Sequence, residues 1–67
     1  MINEYDRVKA VKDLNDIILK GCNGTVVMVY DKPSPAFIVE FFNDSQETIG
    51  VLMVKPDEIT TQGVASD

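Results

Sequence analysis

The four residues Lys32-Pro33-Ser34-Pro35 stand between two runs dominated by strand-forming residues, "TVVMVYD" at 25–31 and "AFIVEFF" at 36–42. Proline has no N–H to give a ladder or a helix, and it pushes the preceding residue toward extended backbone, so neither run can continue through this point. The chain has to turn. A second polar break, "NDSQE" at 43–47, precedes a third run, "TIGVLMV" at 48–54, whose central Gly50 predicts a bend or bulge. Within 36–42 the alternation sets Phe37, Val39 and Phe41 on the inner face. Ile38 shares the outer face with Glu40, and Phe42 follows them there.

Upstream, "YDRVKAVK" at 5–12 alternates too, with Val8 and Ala10 on one face and Arg7 and Lys9 on the other, which predicts a first strand. The stretch "DLNDIILKGCNG" at 13–24 is too brief for a stable isolated helix, and its Ile17-Ile18 pair favours extended structure. It reads as a long loop anchored by its aliphatic side chains. "KPDEI" at 55–59 predicts one helical or 3-10 turn, with Asp57 and Glu58 capping it, Ile59 as its apolar anchor and a short closing strand at 59–62. The expected fold is therefore all-β, with four to five strands in one domain over residues 1–62 and a frayed tail at 63–67. At this length two packed sheets or a closed small barrel can bury one face of every strand, and the barrel is the expectation.

Charge narrows the partners. Eleven acidic residues against six basic ones give a net charge of −5, which disfavours a phosphate backbone as ligand. The excess is local: residues 1–39 hold five of each sign, whereas from residue 40 onward six acids face Lys55 alone. Such a half can steer a basic partner into contact. Cys22 is the single cysteine, so no internal disulfide exists and a reducing cytoplasm is expected. No apolar run is long enough for a signal peptide or a membrane span.

Catalytic chemistry finds little to use. The chain has no histidine, Cys22 has no base beside it in sequence, and adjacent Asp57 and Glu58 diverge on a surface turn. The acids of "DLND" and "NDSQE" lack the spaced ligands of a calcium loop. A non-catalytic protein without cofactor or metal is expected. Gly21 and Gly24 do not make a phosphate loop either, because a strand follows them where an anion site needs a helix. Their predicted role is a tight turn into the second strand.

Taken in order, "YDRVKAVKDL", "LKGCNGTVVMVY", "FIVEFFNDSQETIGVLMV" and "KPDEI" resemble a family of short bacterial proteins known as a domain of unknown function. Its pattern runs from an opening D-R-V through a K-G-x-x-G-T-V-V turn and strand to V-E-F and an acidic hairpin. The resemblance spans about residues 5–59 and implies an SH3-like small barrel, similar to the KOW and nitrile-hydratase-associated barrels. It also implies an antitoxin or immunity partner of a secreted toxin, and it carries over no catalytic residue. Where similar sequences often have a charge, this chain has Met28 and Ile38.

Those two departures mark the expected binding surface. Met28, Ile38 and Phe42 would form an apolar patch ringed by Asp31, Glu40 and Asp44, suited to a protein partner such as a basic toxin domain. Pairing of the barrel with a second copy would cover the same kind of patch. A KOW-like RNA-associated barrel using Tyr5, Arg7, Lys9 and Tyr30, or an accessory module of an enzyme complex, is the alternative.

Overall fold

A computed structural model describes residues 2–62, and the expected tail at 63–67 lies outside them. The chain runs β1 (Arg7–Ala10), β2 (Asn23–Tyr30), β3 (Ala36–Phe42), β4 (Thr48–Val54), a 3-10 turn (Pro56–Glu58) and β5 (Ile59–Thr61). All ladders are antiparallel, and the five strands form one sheet in the order β4-β3-β2-β1-β5. The all-β expectation and the strand count are borne out, as is the lone 3-10 turn.

The sheet has to curl. Laid flat, its two end strands would stand about 19 Å apart at the usual strand spacing. Yet β4 and β5 are joined by only Lys55 and the 3-10 turn, a connection that reaches about 13 Å. Val54 and Ile59, on either side of that connection, are both buried in the same core. The sheet wraps around Val8, Ala10, Ile18, Val26, Phe37, Val39, Phe41, Val54 and Ile59. Full burial of one such aliphatic or aromatic side chain contributes about 1.5–3 kcal/mol.

Two irregularities set the curvature. Val26 pairs with Val39 and Met28 with Ile38, leaving Val27 as an extra residue in β2. Likewise Phe41 pairs with Gly50 and Phe42 with Thr48, so Ile49 is extra in β4. An extra residue bends its strand and increases the local twist. The bend read from Gly50 is therefore present, one position away.

The termini of β1 and β2 differ from expectation. β1 is shorter than 5–12: Tyr5 takes a φ of +71° before it, and past Ala10 the paired segment passes into the 3-10 turn, leaving the bond from the Val11 N–H to the Glu58 carbonyl as the last of the β1–β5 register. β2 begins at Asn23, not 25, since Asn23 and Gly24 pair with β1 on one side and β3 on the other. Residues 11–22 form the long loop. Asn15 Oδ1 accepts the N–H groups of Ile17 and Ile18, and Asp13 Oδ1 accepts that of Lys20 at 2.8 Å. Ile18 is the one fully buried side chain of this loop, with Leu14 and Cys22 packed partly buried against the core; Ile17 is 65% exposed and Leu19 is exposed as well.

The 43–47 hairpin is held by its own asparagine, whose Oδ1 accepts the N–H groups of Ser45 and Glu47. Gln46 closes the turn at a φ of +66°, a region where a side chain costs about 1–2 kcal/mol. Gln46→Gly is expected to stabilise the domain by about 0.5–1 kcal/mol, after glycine's larger entropy loss on folding is set against that strain. The midpoint of urea unfolding measures it. At the far end, Glu58 accepts the Lys55 N–H at 2.8 Å, the capping role expected of it, and Lys12 Nζ lies 3.8 Å from its carboxylate.

Candidate functional site

Because Phe37, Val39 and Phe41 are buried, the alternate residues of β3 make up the outer face of the sheet. Cross-strand register then arranges that face in rows. Met28 of β2, Ile38 of β3 and Met53 of β4 stand side by side in one row, and Thr25, Glu40 and Val51 in another. Met28 is 45% exposed, Met53 63% and Val51 56%, while Ile38 is half-buried between its neighbours. Three strands thus present apolar side chains to water at one place. Glu40 lies beside them and accepts a hydrogen bond from the Thr48 hydroxyl, which holds its carboxylate on this face.

Val51 and Met53 are the members that the sequence reading missed. The signal was there in "VLMV", but Gly50 left the facing of β4 undecided until the position of the extra residue was known. On the other side of β2 the same outer face turns basic, with Arg7 opposite Thr25 and Lys9 opposite Asn23.

The expected ring of acids does not surround the patch. Asp31 follows the end of β2, where Tyr30 pairs with Ala36, whereas Asp44 lies two residues past Phe42 at the other end of β3. The seven residues of β3 hold those ends about 20 Å apart. Glu40 alone of the three adjoins Met28 and Ile38. Phe42 keeps the outer parity but lies at the far end of β3, beyond Glu40: it borders one hollow with Arg7, Thr25 and Gln46, and with Asp44, Ile17, Leu19, Cys22 and Ile49 a shallow open groove of about 430 Å³ beside the 11–22 loop. Asp31 borders a hollow with Tyr30, Pro35 and Phe37.

Gly21 and Gly24 have different duties. Gly21 has a φ of +94° and makes the turn, and its N–H donates to the Ala10 carbonyl at 2.8 Å. Gly24, expected in that turn, stands inside β2 and faces the core between Val8 and Phe41. A Cβ there would lie 2.6 Å from Val39 Cγ1 and 2.9 Å from the Glu40 carbonyl oxygen. The glycine is there for close approach.

Cys22 borders the groove with its Sγ 3.4 Å from the Phe42 carbonyl. Burial pushes its thiol above the ordinary value, and the charge of Asp44 pushes it the same way. A thiol held protonated is a poor nucleophile. Among the described residues no three His, Cys, Asp or Glu side chains converge on a possible metal position, and no helix is long and apolar enough to cross a membrane. Of the residues suggested for RNA, Tyr5 and Arg7 border one hollow with Asp6, Thr61 and Gln62, while Tyr30 lies at the opposite end of β2 from the strands they adjoin.

No curated protein and no solved structure matches the chain. A family profile does, over residues 4–61, which takes in every strand, both bulges and the apolar rows of the outer face. With nearly its whole length so matched, the chain belongs to the family described as Domain of unknown function (DUF4926).

Proposed function

We propose that this protein is a non-catalytic binding module of SH3-like barrel form, and that its outer face takes a protein partner. The observation that carries the reading is the Met28–Ile38–Met53 row, extended by Val51, on three adjacent strands. A row of this kind offers contact area without a buried charge to desolvate, and methionine adapts to varied partners. Glu40 at its edge and the acidic excess from residue 40 onward favour a basic partner and speed its approach. The partner class that fits is a toxin domain with a basic active surface, which makes the protein an immunity or antitoxin-type inhibitor acting in a reducing cytoplasm.

The reading is tested with the product of the adjacent reading frame as partner, by calorimetric titration against the wild-type protein and Met28→Ser/Ile38→Ser. Binding by the wild type and at least a tenfold weaker interaction for the variant are expected, since two contact side chains of this kind are worth more than about 1.4 kcal/mol. Equal affinity at equal thermal stability would remove this face from the mechanism. The RNA-associated alternative draws support from the placement of Tyr5 beside Arg7, and from Lys9 on the same strand face. A gel shift with single-stranded RNA at low salt decides it, because phosphate contacts are strongest there.

A further inference from the structure

At the basic end of the outer face Arg7 stands beside Thr25 and Lys9 beside Asn23, while Val8 and Ala10 of the same strand are buried in the core. Residues two apart on one strand face are about 7 Å from each other, so a small group between these two cations can touch both. Gln62, just past β5, gives its N–H to the Arg7 carbonyl, and its side chain crosses β1 to donate from Nε2 to Asn23 Oδ1 and to the Val8 carbonyl. That bond commits the oxygen of the Asn23 amide and leaves its NH2 to be offered outward. A hollow of about 130 Å³ is lined by Arg7, Asn23, Thr25, Phe42, Gln46 and Gln62. It shares Asn23 and Gln62 with an open one of about 420 Å³ that Lys9, Thr60 and Thr61 complete, and no acidic side chain lines either.

We propose that the two hollows form one site for a single oxyanionic group, a carboxylate or a phosphate, held by the Arg7 guanidinium and the Lys9 ammonium with the Asn23 NH2 and the Thr25 hydroxyl as neutral donors. Charge is left over here for a ligand to meet. Among the described residues the one ion pair is Lys12–Glu58, so neither Arg7 nor Lys9 has a carboxylate partner. Two acids adjoin the site in register or in sequence, and each is engaged elsewhere. Glu40, in the row of Arg7 but beyond Thr25, accepts the Thr48 hydroxyl on its β4 side, and the Asp6 carboxylate accepts the Asn3 N–H at 2.8 Å. The planar fork of arginine matches a carboxylate and a phosphate equally, and Phe42 gives the smaller hollow an apolar wall. That hollow has room for one such group, while a net charge of −5 repels a chain of them. Met28, Ile38, Val51 and Met53 take no part, so the site stands or falls separately from partner binding at their row.

A few charge-assisted hydrogen bonds at an exposed site give a dissociation constant of about 1–10 mM. The isotope-labelled chain is titrated by NMR with sodium phosphate, with sodium acetate and with oligouridine, each against sodium chloride at equal ionic strength. Saturable shifts of the Asn23 side-chain amide and the Thr25 N–H are expected with phosphate, acetate or both, and none with chloride. The anion that binds more tightly identifies the group. Arg7→Gln should weaken binding at least about tenfold and Lys9→Gln at least about threefold. Both side chains are exposed, so each variant should fold, and a thermal melt checks it. Shifts that grow in proportion to every salt, chloride included, overturn the proposal, as does equal affinity of the wild type and either variant. A response to oligouridine alone overturns it too, in favour of a phosphate chain.

Discussion

Gly24→Ala is expected to remove about 3 kcal/mol of stability, the upper part of the usual cost of forcing a methyl group into a packed core. The added Cβ would meet Val39 Cγ1 at 2.6 Å, the Glu40 carbonyl oxygen at 2.9 Å and Phe41 Cδ1 at 3.0 Å. Val39 and Phe41 are fully buried and the oxygen belongs to the backbone of β3, so relief requires β2 and β3 to separate. A domain of this length has about 3–10 kcal/mol in total, at the usual 0.05–0.15 kcal/mol per residue. A fall in Tm of about 15 °C or more is expected on thermal unfolding by circular dichroism. Gly21→Ala supplies the contrast. A Cβ there meets nothing within 4 Å, so only the positive φ is charged against it, about 1–2 kcal/mol. Equal losses at the two positions would show that Gly24 is conformational after all.

Ile18→Ala is expected to cost about 3 kcal/mol, within the range for truncating a buried isoleucine. Ile18 is the one fully buried side chain of the 11–22 loop, and its Cδ1 occupies the space that a side chain at position 50 would need, 2.8 Å from where a Cβ would stand. The loop and β4 are therefore coupled through one methyl group. Gly50→Ala alone should destabilise the protein by about 1–2 kcal/mol, as overpacking does. In the Ile18→Val background the clashing methyl is gone and Ile18 Cγ1 lies at an ordinary 3.8 Å, so the same substitution should cost almost nothing. A double-mutant cycle by urea unfolding measures the difference; additive losses would mean that Gly50 is required for the bend of β4 and not for the loop.

Much of this fold was legible because local chemistry and tertiary pairing agree. The 36–42 and 48–54 runs are strands at the bounds their punctuation predicts, and the inward parity of Phe37, Val39 and Phe41 follows from Glu40 alone. Parity also placed Met28 and Ile38 on the outer face, where β2 and β3 pair them directly. Other positions could not be read this way. Asp31 and Asp44 are near Glu40 in sequence, but a strand is long and carries its two ends about 20 Å apart. Three consecutive aliphatic residues, Ile17, Ile18 and Leu19, all looked like anchors, whereas successive side chains cannot point the same way and only one reaches the core.

By itself the sequence determined the all-β class, the turns at 32–35 and 43–47, the capped 3-10 turn and the inner face of β3, since each depends on residues close together along the chain. Tertiary structure alone decided that Gly24 is a point of strand contact, that Val51 and Met53 complete the outer row, and that Ile18 fits over Gly50. Each of these turns on which residues lie opposite one another across a ladder, and a single extra residue in β2 or β4 changes that pairing without altering the composition that surrounds it.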